Sequence, residues 1–157
     1  MKTKQALFNF LKTHVDHRNY VVFSTTESNM LAYLKETRIK ANEVFLGSMV
    51  RIVDVKSVIE AFNYFERTDF VMKVKDDQCE WNNKNFNVTF ADNEATLEEI
   101  SQSVDMSIDI GSLSQLIVGF RTASQLYDSW EIECAEEFIP VLDRLFPKQT
   151  NFFRDFF

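Results

Sequence analysis

Met106-Ser-Ile-Asp-Ile110 alternates apolar and polar residues, and Gly111-Ser-Leu-Ser-Gln-Leu-Ile117 follows at once with Leu113, Leu116 and Ile117 on one helical face. A period of two that passes into a period near 3.6 is a half-buried strand feeding an amphipathic helix. Working outward, Phe86-Asn-Val-Thr-Phe90 alternates in the same way, Phe70-Val-Met-Lys-Val74 is a further strand, and residues 97–104 are another strand candidate. Met49-Val-Arg-Ile-Val-Asp54 reads as a strand whose last residue caps a helix carrying Val58, Ile59 and Phe62. Residues 121–126 start a helix near Thr122 or Ser124. Residues 138–146 form a last amphipathic helix, with Pro140 suited to its first turn and Pro147 ending it. Before residue 47 the pattern is a helix over 4–15, a strand over 20–23, a helix opened by Ser28 and a short strand over 43–46. Strands and helices mix along the chain, which places it in a mixed α and β class.

The chain has 157 residues, 45% of them apolar and 26% charged, with 3 Gly and 2 Pro, the make-up of a globular domain. Aromatic residues reach 14%, including 16 Phe, enough ring area to fill a core or line a pocket. The charge is uneven. Residues 1–46 carry seven basic and four acidic residues, net +3, whereas the rest of the chain is net −10, for a total of −7. This change of sign and the break at Gly47-Ser48 place a domain boundary near residue 46. The acidic part repels phosphate backbones, which argues against nucleic acid, and it attracts cationic ligands. No apolar run approaches the roughly 18 residues of a membrane span. Met1-Lys-Thr-Lys-Gln-Ala-Leu-Phe8 lacks the pattern of a secretory signal, so a cytoplasmic protein is expected.

The residues that carry chemistry are few. His14 and His17 are three apart and lack further metal partners in sequence, so ordinary histidines are favoured. Cys79 lies beside Asp76, Asp77 and Glu80, a setting that disfavours a thiolate, and Cys134 has no partner at ligand spacing. Asn87-Val-Thr89 fits a glycosylation acceptor that a cytoplasmic chain would not use. Arg121, in Val118-Gly-Phe-Arg121, suits either an anion or a structural ion pair with Asp109 or an acid of the last helix. Glu131, Glu133, Glu136, Glu137 and Asp143 cluster around that helix as solvated acids or as holders of an ammonium group. Asp76, Trp81 and Asn82 are expected to be architectural, with the Trp81 ring folded onto the core and the two polar side chains bonding turn N–H groups. The tail, Gln149-Thr-Asn-Phe-Phe-Arg-Asp-Phe-Phe157, carries more apolar area than a frayed end would leave in water.

Several segments together resemble one family. Met49-Val-Arg-Ile-Val-Asp-Val55, Asp76-Asp-Gln-Cys-Glu-Trp-Asn82, Asp109-Ile-Gly-Ser-Leu-Ser-Gln-Leu116, Gly119-Phe-Arg-Thr-Ala123, Leu145-Phe-Pro147 and the Phe-ending tail are similar to the C-terminal region of the Eis-like GNAT acetyltransferases. The resemblance spans residues 47–157, and residues 1–46 look like the last part of that family's central GNAT-like domain. It implies an α+β fold for 47–157, a sterol-carrier-protein-like mixed sheet with packed helices, preceded by a short remnant of a GNAT-like α/β domain. It also implies transfer of acetyl from acetyl-CoA to amines, aminoglycosides and lysine side chains among them, often in hexamers. By the same resemblance the C-terminal carboxylate of Phe157 is the general base. The acetyl-CoA loop and the tyrosine general acid have no counterpart here: the three glycines, 47, 111 and 119, do not make that loop. The chain is therefore expected to be a substrate-side domain, inactive alone, with no cofactor or metal site of its own and acetyl-CoA bound in the complete enzyme. Its expected partners are an amine substrate, N-terminal acetyltransferase domains and further copies of itself. The alternatives are a stand-alone module for an apolar, lipid-like ligand and an oligomerisation module.

Overall fold

The computed structural model describes residues 49–61 and 67–151, together with Ala6, Asn9, Phe10 and Thr13. These last four are helical and exposed, and Thr13 Oγ1 donates to the Phe10 carbonyl at 2.7 Å. The other elements expected before residue 47, the GNAT-like remnant they were assigned to, His14, His17, Phe62 and residues 152–157 lie outside the described residues. The chain divides into two units, and the sheet and helices below belong to the unit Ser48–Phe153.

In chain order the elements are α1 (Val55–Glu60), β1 (Thr68–Lys75), β2 (Asn85–Ala91), β3 (Glu94–Glu99), β4 (Met106–Asp109), α2 (Ile110–Ile117), α3 (Ala123–Asp128), β5 (Ile132–Cys134), a 3-10 turn (Glu136–Phe138) and α4 (Ile139–Leu145). The five strands lie in the order β3-β2-β1-β4-β5, with β1 and β4 parallel and the other neighbours antiparallel. The fold is α+β, a mixed sheet with packed helices.

Register decides which face is buried. Phe70 stands opposite Val88 and Met72 opposite Phe86; Val88 opposes Leu97; Met72 and Val74 oppose Met106 and Ile108. All of these are buried and form one core with Val55 and Ile59 of α1, Leu113 and Leu116 of α2, Leu126 of α3 and Leu142 of α4. Phe rings thread this core: Phe70 packs edge-on against Phe138 with centroids 5.0 Å apart, and Phe90 meets Phe146 at 6.4 Å. The opposite face is polar, with Asp69, Lys73 and Lys75 on β1, Asn85, Asn87 and Thr89 on β2, and Ser107 on β4. Edge strand β3 is covered by α1: Glu60 Oε1 accepts from the Leu97 N–H at 3.1 Å and Lys56 Nζ donates to its carbonyl at 2.9 Å.

Local chemistry explains the element ends. Asp54 caps α1 by accepting from the Ser57 N–H at 3.0 Å, as the sequence predicts. Thr122 caps α3 in a reciprocal pair with Gln125. Pro140 sits in the first turn of α4. Asp92 and Asn93, at φ 53° and 68°, make the two-residue hairpin between β2 and β3, where both positions need positive φ.

Four expectations are corrected. Residues 49–54 join no ladder and bend at Val53; the Ile52 N–H goes to Ser114 Oγ at 3.0 Å, and the Val53 carbonyl accepts from Trp81 Nε1 at 2.8 Å and Asn82 Nδ2 at 2.9 Å. The strand expected over 97–104 is Glu94–Glu99, because the tight turn at 92–93 starts pairing at residue 94. Ile110 belongs to α2 rather than β4, since the Asp109 carboxylate caps the helix there. The Trp81 ring does not fold into the core: the residue is 56% exposed and held by its indole N–H. Trp81→Ala is accordingly expected to cost about 1 kcal/mol, one hydrogen bond, and not the larger penalty of a buried ring. Urea unfolding of the variant checks this.

Candidate functional site

Two polar clusters and one crossing of the chain hold the segments between the strands and helices in place. The first cluster surrounds the buried Asp76. Its Oδ1 accepts from Arg51 at 2.6 Å, from the Gln78 N–H at 3.0 Å and from the Cys79 N–H at 3.1 Å, while Oδ2 accepts from Asn82 Nδ2 at 3.0 Å. Asn82 Oδ1 in turn accepts from the Val55 N–H at 3.0 Å. Burial pushes the Asp76 carboxyl up, but the donors Asn82, Gln78, Cys79 and Arg51 outweigh it and hold it well below the usual carboxylate range. Asp76 bonds turn N–H groups as expected, and Asn82 ties the turn to the residues entering α1. This cluster is architecture.

The second cluster surrounds Arg121. Nη1 donates to Glu131 Oε1 at 2.5 Å, and Nη2 donates to the Gln125 carbonyl at 2.7 Å and to Ser129 Oγ. The structural reading of Arg121 holds, with a different partner: Glu131, in the turn before β5, takes the place of Asp109 or an acid of the last helix. Asp109 is engaged by the Gly111 and Ser112 N–H groups at 2.8 and 3.0 Å. The hydrogen bond from Arg121 holds the Glu131 carboxyl below its ordinary value against the opposing effect of burial.

The acids grouped by sequence are dispersed in space. Glu131 belongs to Arg121, and Glu133 lies 3.6 Å from Lys75. Asp143 accepts from the Ser124 N–H and hydroxyl at 3.2 and 2.5 Å. Glu136 and Glu137 are exposed on the 3-10 turn. Burial pushes the Cys134 thiol up, which keeps it protonated. Among the described residues no group of three or more His, Cys, Asp or Glu side chains is placed to hold a metal.

Sequence reading missed two exposed rings beside Arg121. Phe120 is 59% exposed and Trp130 is 92% exposed with φ 61°, a conformation that disfavours a bulky side chain. The Trp130 turn is rigid because both of its flanking residues, Ser129 and Glu131, accept from Arg121. The signal in sequence is a Trp between Ser129 and Glu131, outside the apolar period of either neighbouring element.

The crossing is at Gly119, φ 66°, where the Gln149 N–H donates to the Gly119 carbonyl at 2.8 Å. Asn151 Nδ2 donates to the neighbouring Val118 carbonyl at 3.0 Å. A Cβ on residue 119 would stand 2.6 Å from both the Gln149 nitrogen and the Pro147 oxygen. Residues 147–151 are thereby fixed next to Phe120 and the Arg121 cluster. Phe157 lies outside the described residues.

Known proteins share this arrangement of elements. The "Sterol carrier protein domain" family matches residues 55–154. Among solved structures, a probable N-acyltransferase from Enterococcus faecalis V583 is 22% identical, with a TM-score of 0.62 over 68% of this chain and 28% of its own. A GCN5-related N-acetyltransferase from Anabaena variabilis is 22% identical, with a TM-score of 0.59 over 64% of this chain and 26% of its own. Eis1 from Mycobacterium abscessus is 23% identical, with a TM-score of 0.56 over 66% of this chain and 26% of its own. The chain thus spans about a quarter of the length of these neighbours, and the likeness is one of fold. No curated protein matches the sequence. A family match over 100 of the 157 residues, on a five-stranded mixed sheet with its helices packed on one face, makes the chain a member of the sterol carrier protein domain family.

Proposed function

We propose that this chain is the substrate-side domain of an Eis-like, acetyl-CoA-dependent amine N-acetyltransferase, and that it is inactive without an acetyl-CoA-binding region. One observation supports the reading above the others. Residues 147–151 are pinned at Gly119, beside the rigid Arg121–Glu131 turn and two exposed aromatic rings, in a fold that recurs within N-acetyltransferases. A tail leaving from a fixed point can deliver its end to a site on the acetyltransferase region. In this proposal the amine nitrogen attacks the thioester carbonyl, the C–N bond forms, the C–S bond breaks, and CoA leaves as a thiolate that takes its proton from a general acid of the acetyltransferase region. The α-carboxylate of Phe157 accepts the proton that the amine loses. An α-carboxyl near pKa 3.5 is a poor base at neutral pH, and burial among Phe152, Phe153 and Phe156 would raise it.

The acidic domain favours cationic amines, aminoglycosides and lysine side chains among them, and neither nucleic acid nor a membrane is a proposed partner. Among the described residues no helix is long and apolar enough to cross a membrane. The proposal places the protein in the cytoplasm, with further copies of itself as possible oligomer partners. The test is calorimetric. Acetyl-CoA titrated into this chain should give no binding heat, since pyrophosphate needs a glycine-rich turn at a helix N-terminus. The same chain joined to an acetyltransferase region should turn over an aminoglycoside or lysine acceptor. A micromolar acetyl-CoA site on the chain alone would overturn the assignment.

A further inference from the structure

Trp130 is the most exposed aromatic ring among the described residues, at 92%, and its backbone sits at φ 61°. Neither feature serves the fold. A left-handed φ is unfavourable for a bulky side chain, and a ring left in water contributes no burial. Its indole N–H has no partner among the described residues, whereas that of Trp81 donates to the Val53 carbonyl. The turn that carries it is nevertheless firmly held. The Trp130 N–H donates to the Tyr127 carbonyl at 3.0 Å, the Glu131 N–H donates to the Leu126 carbonyl at 2.9 Å, and Arg121 donates to the side chains on both sides. Phe120, 59% exposed, precedes the same arginine, and its N–H donates to the Gln115 carbonyl at 2.9 Å. Two rings are thus presented to solvent on fixed backbone. Such anchors lose little freedom when a partner covers them.

The rest of the chain limits what that partner is. Phe120 adjoins Gly119, where Gln149 and Asn151 are bonded. Six residues lead from Asn151 to the carboxylate of Phe157, a span of at most about 20 Å. A carboxylate that works at the acetyl-transfer site brings the region holding that site within the same distance of Asn151, and Phe120 and Trp130 are the exposed rings beside this crossing. Charge describes the rim. Residues 122–143 hold six acidic residues and no Lys or Arg, and Asp128, two residues before Trp130, is exposed without an ion pair among the described residues. We propose that Phe120 and Trp130 seat this domain against the acetyltransferase region, in an apolar recess bordered by a Lys or Arg that meets Asp128. The inference rests on the proposed function and names the surface by which the two regions meet.

Hydroxyl-radical footprinting read by mass spectrometry tests it, comparing this chain alone with the protein that joins it to an acetyltransferase region. Phe120 and Trp130 should be oxidised about tenfold more slowly in the joined protein, because their rings are covered there. Trp130→Gly and Phe120→Ser in the joined protein should each lower kcat about tenfold, since a loosely seated domain misplaces the tail. In the chain alone, Trp130→Gly should unfold at the parent's midpoint or a higher one, because glycine accepts a positive φ. Equal oxidation in the two proteins, variants with the parent's kcat, or a lowered midpoint for Trp130→Gly would each overturn the proposal. Protection that appears in the chain alone as its concentration rises would assign the rings to a second copy and overturn it too. One glycine appended after Phe157 separates this surface from the reading beneath it. Lost kcat with both rings still exposed removes the surface alone, and covered rings with an unchanged kcat remove the role of the tail alone.

Discussion

Asp76→Asn is expected to destabilise the fold by about 3 kcal/mol at neutral pH, the scale of breaking a buried, paired charge. The carboxylate is 2% exposed and serves four donors at once. An amide keeps one acceptor oxygen and turns its NH₂ group toward Asn82 Nδ2 or toward Arg51, so donors meet donors. The effect spreads, because Asn82 also holds the Val53 carbonyl and the Val55 N–H. The pH dependence has a definite sign. Folding depresses the Asp76 pKa below its ordinary 3.8, so its contribution is complete above that value and is lost as pH falls through the folded one. The parent should therefore lose stability on acidification below about pH 4, where an unfolded Asp begins to take its proton. Asp76→Asn lacks that component, and the gap between the two should narrow at pH 3. Urea unfolding at pH 7 and pH 3 measures both effects. Equal midpoints at pH 7 would mean that the turn does not depend on this charge.

Gly119→Ala is the second large effect. A left-handed φ costs a non-glycine residue roughly 1–3 kcal/mol. Here the added Cβ also meets backbone atoms at 2.6 Å on two sides, Gln149 N and Pro147 O, and neither can swing away as a side-chain end would. Relief requires residues 147–149 to move, which breaks the Gln149–Gly119 hydrogen bond, about 1 kcal/mol more. A total near 3 kcal/mol is expected, with faster hydrogen exchange at the Gln149 amide. Unchanged stability and protection would show that the crossing carries no weight.

Much of this architecture is legible in the sequence where a period or a cap has one physical meaning. Phe86–Phe90 alternates because β2 has one buried face, Asp54 and Thr122 mark helix starts, and Pro140 marks a first turn. Residues 49–54 mislead because an apolar, β-branched run does not say where its backbone groups bond; here they bond to Ser114, Trp81 and Asn82 and not to a neighbouring strand. β5, at three residues, is too short to show a period. In the turn 76–82, Asp76 and Asn82 have partners far along the chain, Arg51 and Val55, and spacing alone does not reveal those partners. The candidate site was least legible. The partner of Arg121 lies ten residues on, across a helix and a turn, and the exposure of Trp130 and Phe120 is a property of the packed fold.

The central claim is that the end of this domain takes part in acetyl transfer. Appending one glycine after Phe157, in a protein that joins this chain to an acetyltransferase region, moves the terminal carboxylate by about 3.5 Å and leaves the fold of residues 49–151 untouched. Misplacement on that scale should lower kcat about 100-fold or more, with unchanged thermal stability. A kcat equal to that of the parent, on an intact fold, would contradict the account and leave Phe157 as ordinary packing.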